Sequence, residues 1–291
     1  MTQTELSLAA SEKRRRAESS IGGLLMESGK ISPENAERVL RLQQELGIRF
    51  GEAAQRMGLI DEGDISQVLA RQFDYPYLQP GEGGCSPHLA AAYAPFSPQV
   101  EALRAVRSQL MLRWFACGHK SLAIAAVDQG DGVSLFAANL AVVFSQLGED
   151  TLLVDANLRT PSQQAIFNTR AGQGLSDILA GRADLDMIEE LESLARLSVL
   201  NAGTIPPNPQ ELLARGSFAA LHARMESRYD VTLYDVAASA RGLDALVLAA
   251  RCGGLLIVAR KNKTRLGDVN ALAAQVAQTG AQVVGSVLVE F

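Results

Sequence analysis

Ser121-Leu122-Ala123-Ile124-Ala125-Ala126-Val127-Asp128-Gln129-Gly130-Asp131-Gly132-Val133-Ser134 is the stretch on which the fold turns. Residues 122–127 form a short unbroken apolar run, the pattern of a strand buried on both faces. A glycine-containing turn follows, and residues 134–146 carry helical periodicity. Strand, tight turn and helix in that order bring backbone N–H groups and the positive end of a helix dipole together, which makes an anion site. Gly130 and Gly132 permit the tight loop, and Ser134 offers a hydroxyl to Mg²⁺. No lysine occurs from Ser121 to Arg260, and Asp128 and Asp131 put negative charge where phosphates would sit. A tight strand-to-helix turn with no ligand is the plainer alternative.

Outward from this loop, apolar runs recur at 151–156, 197–201, 231–236, 254–259 and 282–289, with helical patterns at 209–227 and 266–278. Such alternation implies an α/β fold, a mainly parallel sheet with helices on both faces. The composition agrees: 47% of the 291 residues are hydrophobic but only 5% aromatic, as in an aliphatic α/β core. A net charge of −5 gives no footing for a nucleic-acid partner. Cys85, Cys117 and Cys252 are widely spaced and read as reduced structural thiols. No apolar run reaches the roughly 18 residues needed to span a bilayer, so a cytoplasmic protein is expected. The basic cluster Lys13–Arg16 lies in a polar tail, read here as solvated or as touching an anionic membrane face.

Four further segments carry a resemblance. An apolar strand ends in Asp155-Ala156-Asn157-Leu158-Arg159, and another in Asp235-Val236-Ala237-Ala238. Gly174-Leu175-Ser176-Asp177-Ile178-Leu179-Ala180-Gly181 and Gly203-Thr204-Ile205-Pro206-Pro207-Asn208-Pro209-Gln210-Glu211-Leu212-Leu213 are longer and more specific. With the phosphate loop, residues 96–291 resemble the cytoplasmic P-loop domain of bacterial tyrosine kinases of exopolysaccharide biosynthesis, in particular the subgroup associated with chain-length determinant proteins. The resemblance implies a P-loop NTPase-like fold and Mg-ATP or Mg-ADP held by Gly130, Asp131, Gly132, Val133 and Ser134. It also implies Mg²⁺ at Ser134, Asp155 and Asp235, with the two aspartates as catalytic residues. Its partner would be a membrane chain-length determinant protein that recruits the chain to the inner membrane.

The sequence departs from that family at the site. The family's loop has lysine where Val133 stands. Its Asp-x-Asp-x-Arg has become Asp155-Ala156-Asn157-Leu158-Arg159, and an amide lacks a carboxylate's charge and basicity. Val236-Ala237-Ala238 replaces Thr-Pro-Pro. Family kinases commonly end in a tyrosine cluster, whereas the five tyrosines here are Tyr75, Tyr77, Tyr93, Tyr229 and Tyr234. A degenerate tyrosine-kinase-family regulator of polysaccharide chain length or export is the leading expectation. An active ATP-dependent tyrosine autokinase and a cyclic di-GMP-binding module are the alternatives.

Just before the first strand, Glu101, Arg104 and Arg107 share one helical face. They match a family motif whose role is subunit contact in a ring, so a homo-oligomer is expected. An ordinary solvated face with an ion pair worth a few tenths of a kcal/mol is the other reading.

The N-terminal part repeats. Residues 20–43 align with 49–72 at an offset of 29, pairing Gly22 with Gly51, Gly29 with Gly58, Ile31 with Ile60 and Gln43 with Gln72. Each copy reads as a short helix, a glycine turn and a second helix. Ser32-Pro33 opens the second helix of the first copy, and Asp61 its equivalent. Neither copy can bury its apolar face alone, so the two should pack together. The unit is similar to the tandem module at the N-terminus of type II secretion and pilus ATPases, some of which bind cyclic di-GMP. By that resemblance the ligand residues would be Arg49, Gly51, Gly58 and Gln72 with Gly22 and Gln43. Ser20 stands where the family has arginine, and Ala54 where it has leucine. The expected organisation is a polar tail at 1–17, a helical tandem-repeat domain at 18–78, a connector at 79–97 and the kinase-like domain at 98–291.

Overall fold

The computed structural model describes residues 21–72, 76–79 and 81–290. The polar tail, Ser20 and the side chain of Gln72 lie outside the described residues. The chain divides into two units, Met1–Pro76 and Tyr77–Phe291.

The first unit holds four helices: α1 Ile21–Glu27, α2 Pro33–Leu46, α3 Phe50–Arg56 and α4 Glu62–Gln72. Ser32 Oγ accepts the Asn35 N–H at 3.3 Å and starts α2 with proline in its first turn. At α4 the cap is reciprocal: the Asp64 N–H donates to Asp61 Oδ1 at 2.8 Å, and the Asp61 N–H to Asp64 Oδ2 at 3.0 Å. Gly29 and Gly58, equivalent in the repeat, turn the chain after α1 and α3 with φ of 69° and 66°, a region costly for residues with a Cβ. The copies interlock, since α1 packs on α4 and α2 on α3. Leu25, Ile31, Val39, Ala53, Ala54, Ile60 and Val68 form their shared core.

The second unit is built on seven strands: β1 Ser121–Ala126, β2 Thr151–Asp155, β3 Glu189–Glu190, β4 Leu197–Leu200, β5 Val231–Asp235, β6 Gly254–Arg260 and β7 Gln282–Val289. Their order is β3-β4-β2-β5-β1-β6-β7, parallel throughout except for the short β3 against β4. Alternate residues of β1 feed two cores. Leu122 and Ile124 pack with Phe136, Leu140 and Phe144, while Ala123 and Ala125 pack with Phe218, Leu248 and Leu272. The helices on these faces include α7 Val133–Ser145, α11 Gly216–Glu226, α12 Asp244–Cys252 and α13 Leu266–Gln278. Shorter helices fill the loops: α5 Ala90–Tyr93, α8 Gln163–Phe167, α9 Leu175–Leu179 and α10 Pro209–Ala214. The single helix expected over 209–227 is therefore two, broken at Arg215 where ψ is 150°.

The expected connector at 79–97 is instead folded onto the second unit. Cys85, Leu89, Ala91 and Ala92 are buried in its main core. The Ala91 N–H donates to Asn139 Oδ1 at 2.8 Å, and Gln146 Nε2 donates to the Ala91 carbonyl at 2.9 Å. The prolines and glycines that suggested a free segment bend it across α7. Helix α6, Pro98–Arg113, follows, capped by Ser97.

Candidate functional site

The phosphate loop, Asp155 and Asp235 all gather at the carboxyl edge of the sheet, because β1, β5 and β2 lie side by side. That edge is where parallel sheets bind ligands. Asp155 and Asp235 are direct partners in the β2–β5 ladder and are 1% and 0% exposed. Asp155 Oδ2 accepts the N–H groups of Ser162 and Gln163 at 2.9 Å each, and Oδ1 accepts that of Asn157 at 3.2 Å. Asp235 Oδ2 accepts from Gln163 Nε2 at 2.7 Å, but its buried Oδ1 has no hydrogen-bond partner. Burial, followed by the neighbouring Asp155 charge, pushes Asp235 up to about 8, with the Gln163 amide and Ser134 hydroxyl offsetting part of the rise. Burial also raises Asp155, to about 6, against the pull of its three backbone donors.

This donor set fits Mg²⁺. Magnesium is commonly held by one or two carboxylates with waters and substrate phosphates completing the shell. Two adjoining carboxylates beside the Ser134 hydroxyl, one with a buried oxygen lacking any partner, are such a partial shell. Among the described residues no cluster of three His, Cys, Asp or Glu side chains forms a closed protein cage. Asn157 does not add to it, because its Oδ1 accepts from the Thr160 N–H and hydroxyl at 3.1 and 3.3 Å.

Beside the loop is a cavity of about 270 Å³ lined by Asp128, Gly130, Ser134, Asn157, Thr160 and Arg241, among others. That is below the roughly 300–1,000 Å³ of pockets that enclose a whole drug-sized ligand. It suits phosphate groups, with the rest of a nucleotide outside. Gly132 caps α7 in a left-handed conformation with φ of 76°, as a tight loop onto a helix N-terminus requires.

Asp131 is not a phosphate neighbour with free charge. It is fully buried and turned inward, accepting from the Thr264 hydroxyl at 2.8 Å and the Asp128 N–H at 3.3 Å. Lys263 Nζ lies 3.1 Å from Asp131 Oδ1, near enough to pair but off a hydrogen-bonding line, and donates to the Gln129 carbonyl at 3.1 Å. Arg260 donates to the Gly130 carbonyl at 3.3 Å, and Arg241 to Gln129 Oε1 at 3.1 Å. Sequence reasoning noted the missing lysine but not these three cations. For Arg260 and Lys263 the available signal was the basic run Arg260-Lys261-Asn262-Lys263-Thr264-Arg265 directly after an apolar strand, a run that does not include Arg241.

Comparison with known proteins bears on the family. Over 200 residues the chain is 32% identical to the tyrosine-protein kinase Wzc of Salmonella typhi, a match covering 69% of this chain and 28% of Wzc. It is 31% identical over 171 residues to the tyrosine-protein kinase CpsD of Streptococcus agalactiae, covering 58% of this chain and 75% of CpsD. The chain belongs to the bacterial tyrosine kinase family. The solved kinase domain of the Escherichia coli tyrosine kinase ETK superposes with a TM-score of 0.68 at 28% identity, over 74% of this chain and 84% of that one. No family model matches the chain. The aligned span is 28% of Wzc's length, so the chain spans only part of that relative.

Within this tyrosine-kinase-family domain, the Glu101, Arg104 and Arg107 set makes contacts inside its own chain. Arg104 pairs with Glu101 at 3.0 Å and donates to the Pro95 carbonyl, while Arg107 donates to the Val143 carbonyl at 2.6 Å. Glu101 keeps a 73% exposed side chain. The Gly174–Gly181 and Gly203–Leu213 segments are bound together. Asp177 accepts from the N–H groups of Gly174 and Thr204 and pairs with Arg182 at 2.8 Å, and these partners hold it down at about 2 despite its burial. In the first unit, the glycines of the expected cyclic di-GMP set have packing or turn roles. A Cβ on Gly22 would meet Phe50 at 3.2 Å, and one on Gly51 would meet Ile65 at 3.1 Å. Gly58 holds a left-handed turn, and Arg49 is exposed just before α3.

Proposed function

We propose that this chain is a degenerate tyrosine-kinase-family regulator of exopolysaccharide biosynthesis, acting on chain length or export with a weakened nucleotide site. The observation that carries the reading is Val133 at the first position of α7, where an uncharged side chain faces the phosphate cavity. Stabilising the transferring phosphoryl group is most of kinase chemistry, and one charge-assisted donor is worth several kcal/mol of it, on the order of an oxyanion-hole contact. Backbone amides and the Asp155–Asp235 pair still suit Mg-ATP or Mg-ADP. Asp155, Asp235 and the Ser134 hydroxyl would hold magnesium, which would supply positive charge against the phosphates. Asp155 would keep its orientation through its three backbone donors, and Asp235 through Gln163.

The proposed partner is a membrane chain-length determinant protein, a reading supported by the likeness to tyrosine kinases such as Wzc. Glu101, exposed beside the internally bonded Arg104, is the member of its motif best placed for a contact between copies. The first unit would bring a second input, with cyclic di-GMP at Arg49 and Gln43 as its candidate ligand.

ATP binding by wild type and Val133→Lys, measured by calorimetry with Mg²⁺, tests the reading. The variant should bind about tenfold or more tightly, as a charge-assisted phosphate contact predicts. Equal affinity refutes a weakened loop. Incubation with ATP followed by anti-phosphotyrosine detection separates the regulator from an active autokinase, and a strong signal abolished by Asp155→Ala would establish the autokinase.

A further inference from the structure

Arg241 is the cationic side chain, among the described residues, that borders the phosphate cavity. It ends the 3₁₀ turn Ser239–Arg241 just after β5. That turn is fastened to the strand end that feeds the phosphate loop. The Ala240 N–H donates to the Val127 carbonyl at 3.0 Å, and the Ser239 hydroxyl reaches the same oxygen at 3.4 Å. The guanidinium donates one hydrogen bond to Gln129 Oε1 at 3.1 Å, which sets it over the loop's opening residues. A guanidinium carries five N–H donors in a planar fork matched to phosphate oxygens.

Lys263 and Arg260 occupy a different place. Lys263 is committed to the buried Asp131 and the Gln129 carbonyl, and Arg260 holds the Gly130 carbonyl. Both brace the loop from outside, and neither lines the cavity. The buried Asp235 Oδ1, without a hydrogen-bond partner and on the same strand that leads into the Arg241 turn, independently points to a ligand at this edge.

We propose that Arg241 is the cation that receives the terminal phosphates of a nucleoside di- or triphosphate in this loop, in place of a lysine at position 133. This rests on the reading that the site still holds nucleotide. The charge then comes from the strand-end turn across the cavity rather than from the loop itself. Arg241 is exposed, so binding desolvates it only as phosphate arrives.

The full chain is titrated with ATP, and separately with inorganic tripolyphosphate, in Mg²⁺ buffer, for wild type, Arg241→Ala and Arg241→Lys. Arg241→Ala should weaken both ligands about tenfold, the lower range for a charge-assisted hydrogen bond. Arg241→Lys should recover part of the loss, because it restores charge without the fork. The melting temperature without ligand should stay at the wild-type value, as expected for an exposed side chain away from the core. ATP and tripolyphosphate bound by Arg241→Ala as tightly as by wild type overturn the assignment and leave nucleotide binding standing. Wild type that takes up neither ligand at millimolar concentration overturns the nucleotide reading and this assignment with it.

Discussion

Replacing Asp235 with asparagine probes the two carboxylates that the sheet holds against each other. Both are buried and directly opposed across the β2–β5 ladder. Asp235 rises from 3.8 to about 8 in the folded chain, so the unfolded chain ionises it first. The stabilisation from its protonated folded form is complete below about pH 4. It drains away as pH climbs and is gone once pH passes about 8. At ~1.36 kcal/mol per unit of pKa the full rise would amount to about 6 kcal/mol. Proton sharing within the pair and relaxation of the strand ends reduce this, and about 2 kcal/mol is the working magnitude. For a unit of this size that is about 4–8 °C in Tm. Asp235→Asn keeps the side chain's shape and an acceptor for Gln163 while removing the charge. Thermal melts without divalent metal should show the variant about 4–8 °C above wild type at pH 8.5 and nearly level with it at about pH 4. Adding 10 mM Mg²⁺, taken here as ~10 times its Kd, should raise wild type by about 1.4 kcal/mol through mass action and leave the variant unmoved. A gap that does not change with pH, or a variant less stable than wild type at pH 8.5, would refute the reasoning.

A Cβ on Gly174 would run into the Asn201 carbonyl oxygen and sit 2.6 Å from the Gly203 nitrogen, both backbone atoms. Gly174→Ala should therefore cost about 2–4 kcal/mol in urea unfolding, and a loss under about 0.5 kcal/mol would show that the segment yields. Lys263→Ala removes the cation paired with the buried Asp131, leaving it the Thr264 hydroxyl and the Asp128 N–H, and should cost about 1–3 kcal/mol near pH 8. Lys263→Arg should retain most of that stability, and equal denaturation midpoints for wild type and Lys263→Ala would remove the brace from the loop.

Much of this protein was legible along the chain because its signals are local. A buried parallel strand must be continuously apolar, so β1, β2, β5 and β6 stand out in the sequence. The glycine turn into α7 announces an anion site, and Asp155 and Asp235 end strands whose apolar runs fix their positions. The helix starts at Ser32 and Asp61 are equally local, since a cap needs only its own first turn. The segment 79–97 misled for a related reason: prolines and glycines report local irregularity, whereas burial of Cys85, Leu89 and Ala92 depends on what lies beneath them.

The amino-acid order alone reveals the parallel α/β architecture, the glycine loop that opens α7 at Val133, and the repeat in the first unit. Each rests on periodicity or on residues within one turn of each other. The tertiary structure alone decided what surrounds that loop. Because β6 lies beside β1, the segment after β6 delivers Arg260, Lys263 and Thr264 to a turn more than a hundred residues earlier in the chain. Because β5 lies on the other side, the turn after it brings Arg241 to the cavity mouth. Strand order is set by how whole helices and strands pack, so no stretch of sequence around the loop could reveal which distant charges it would meet.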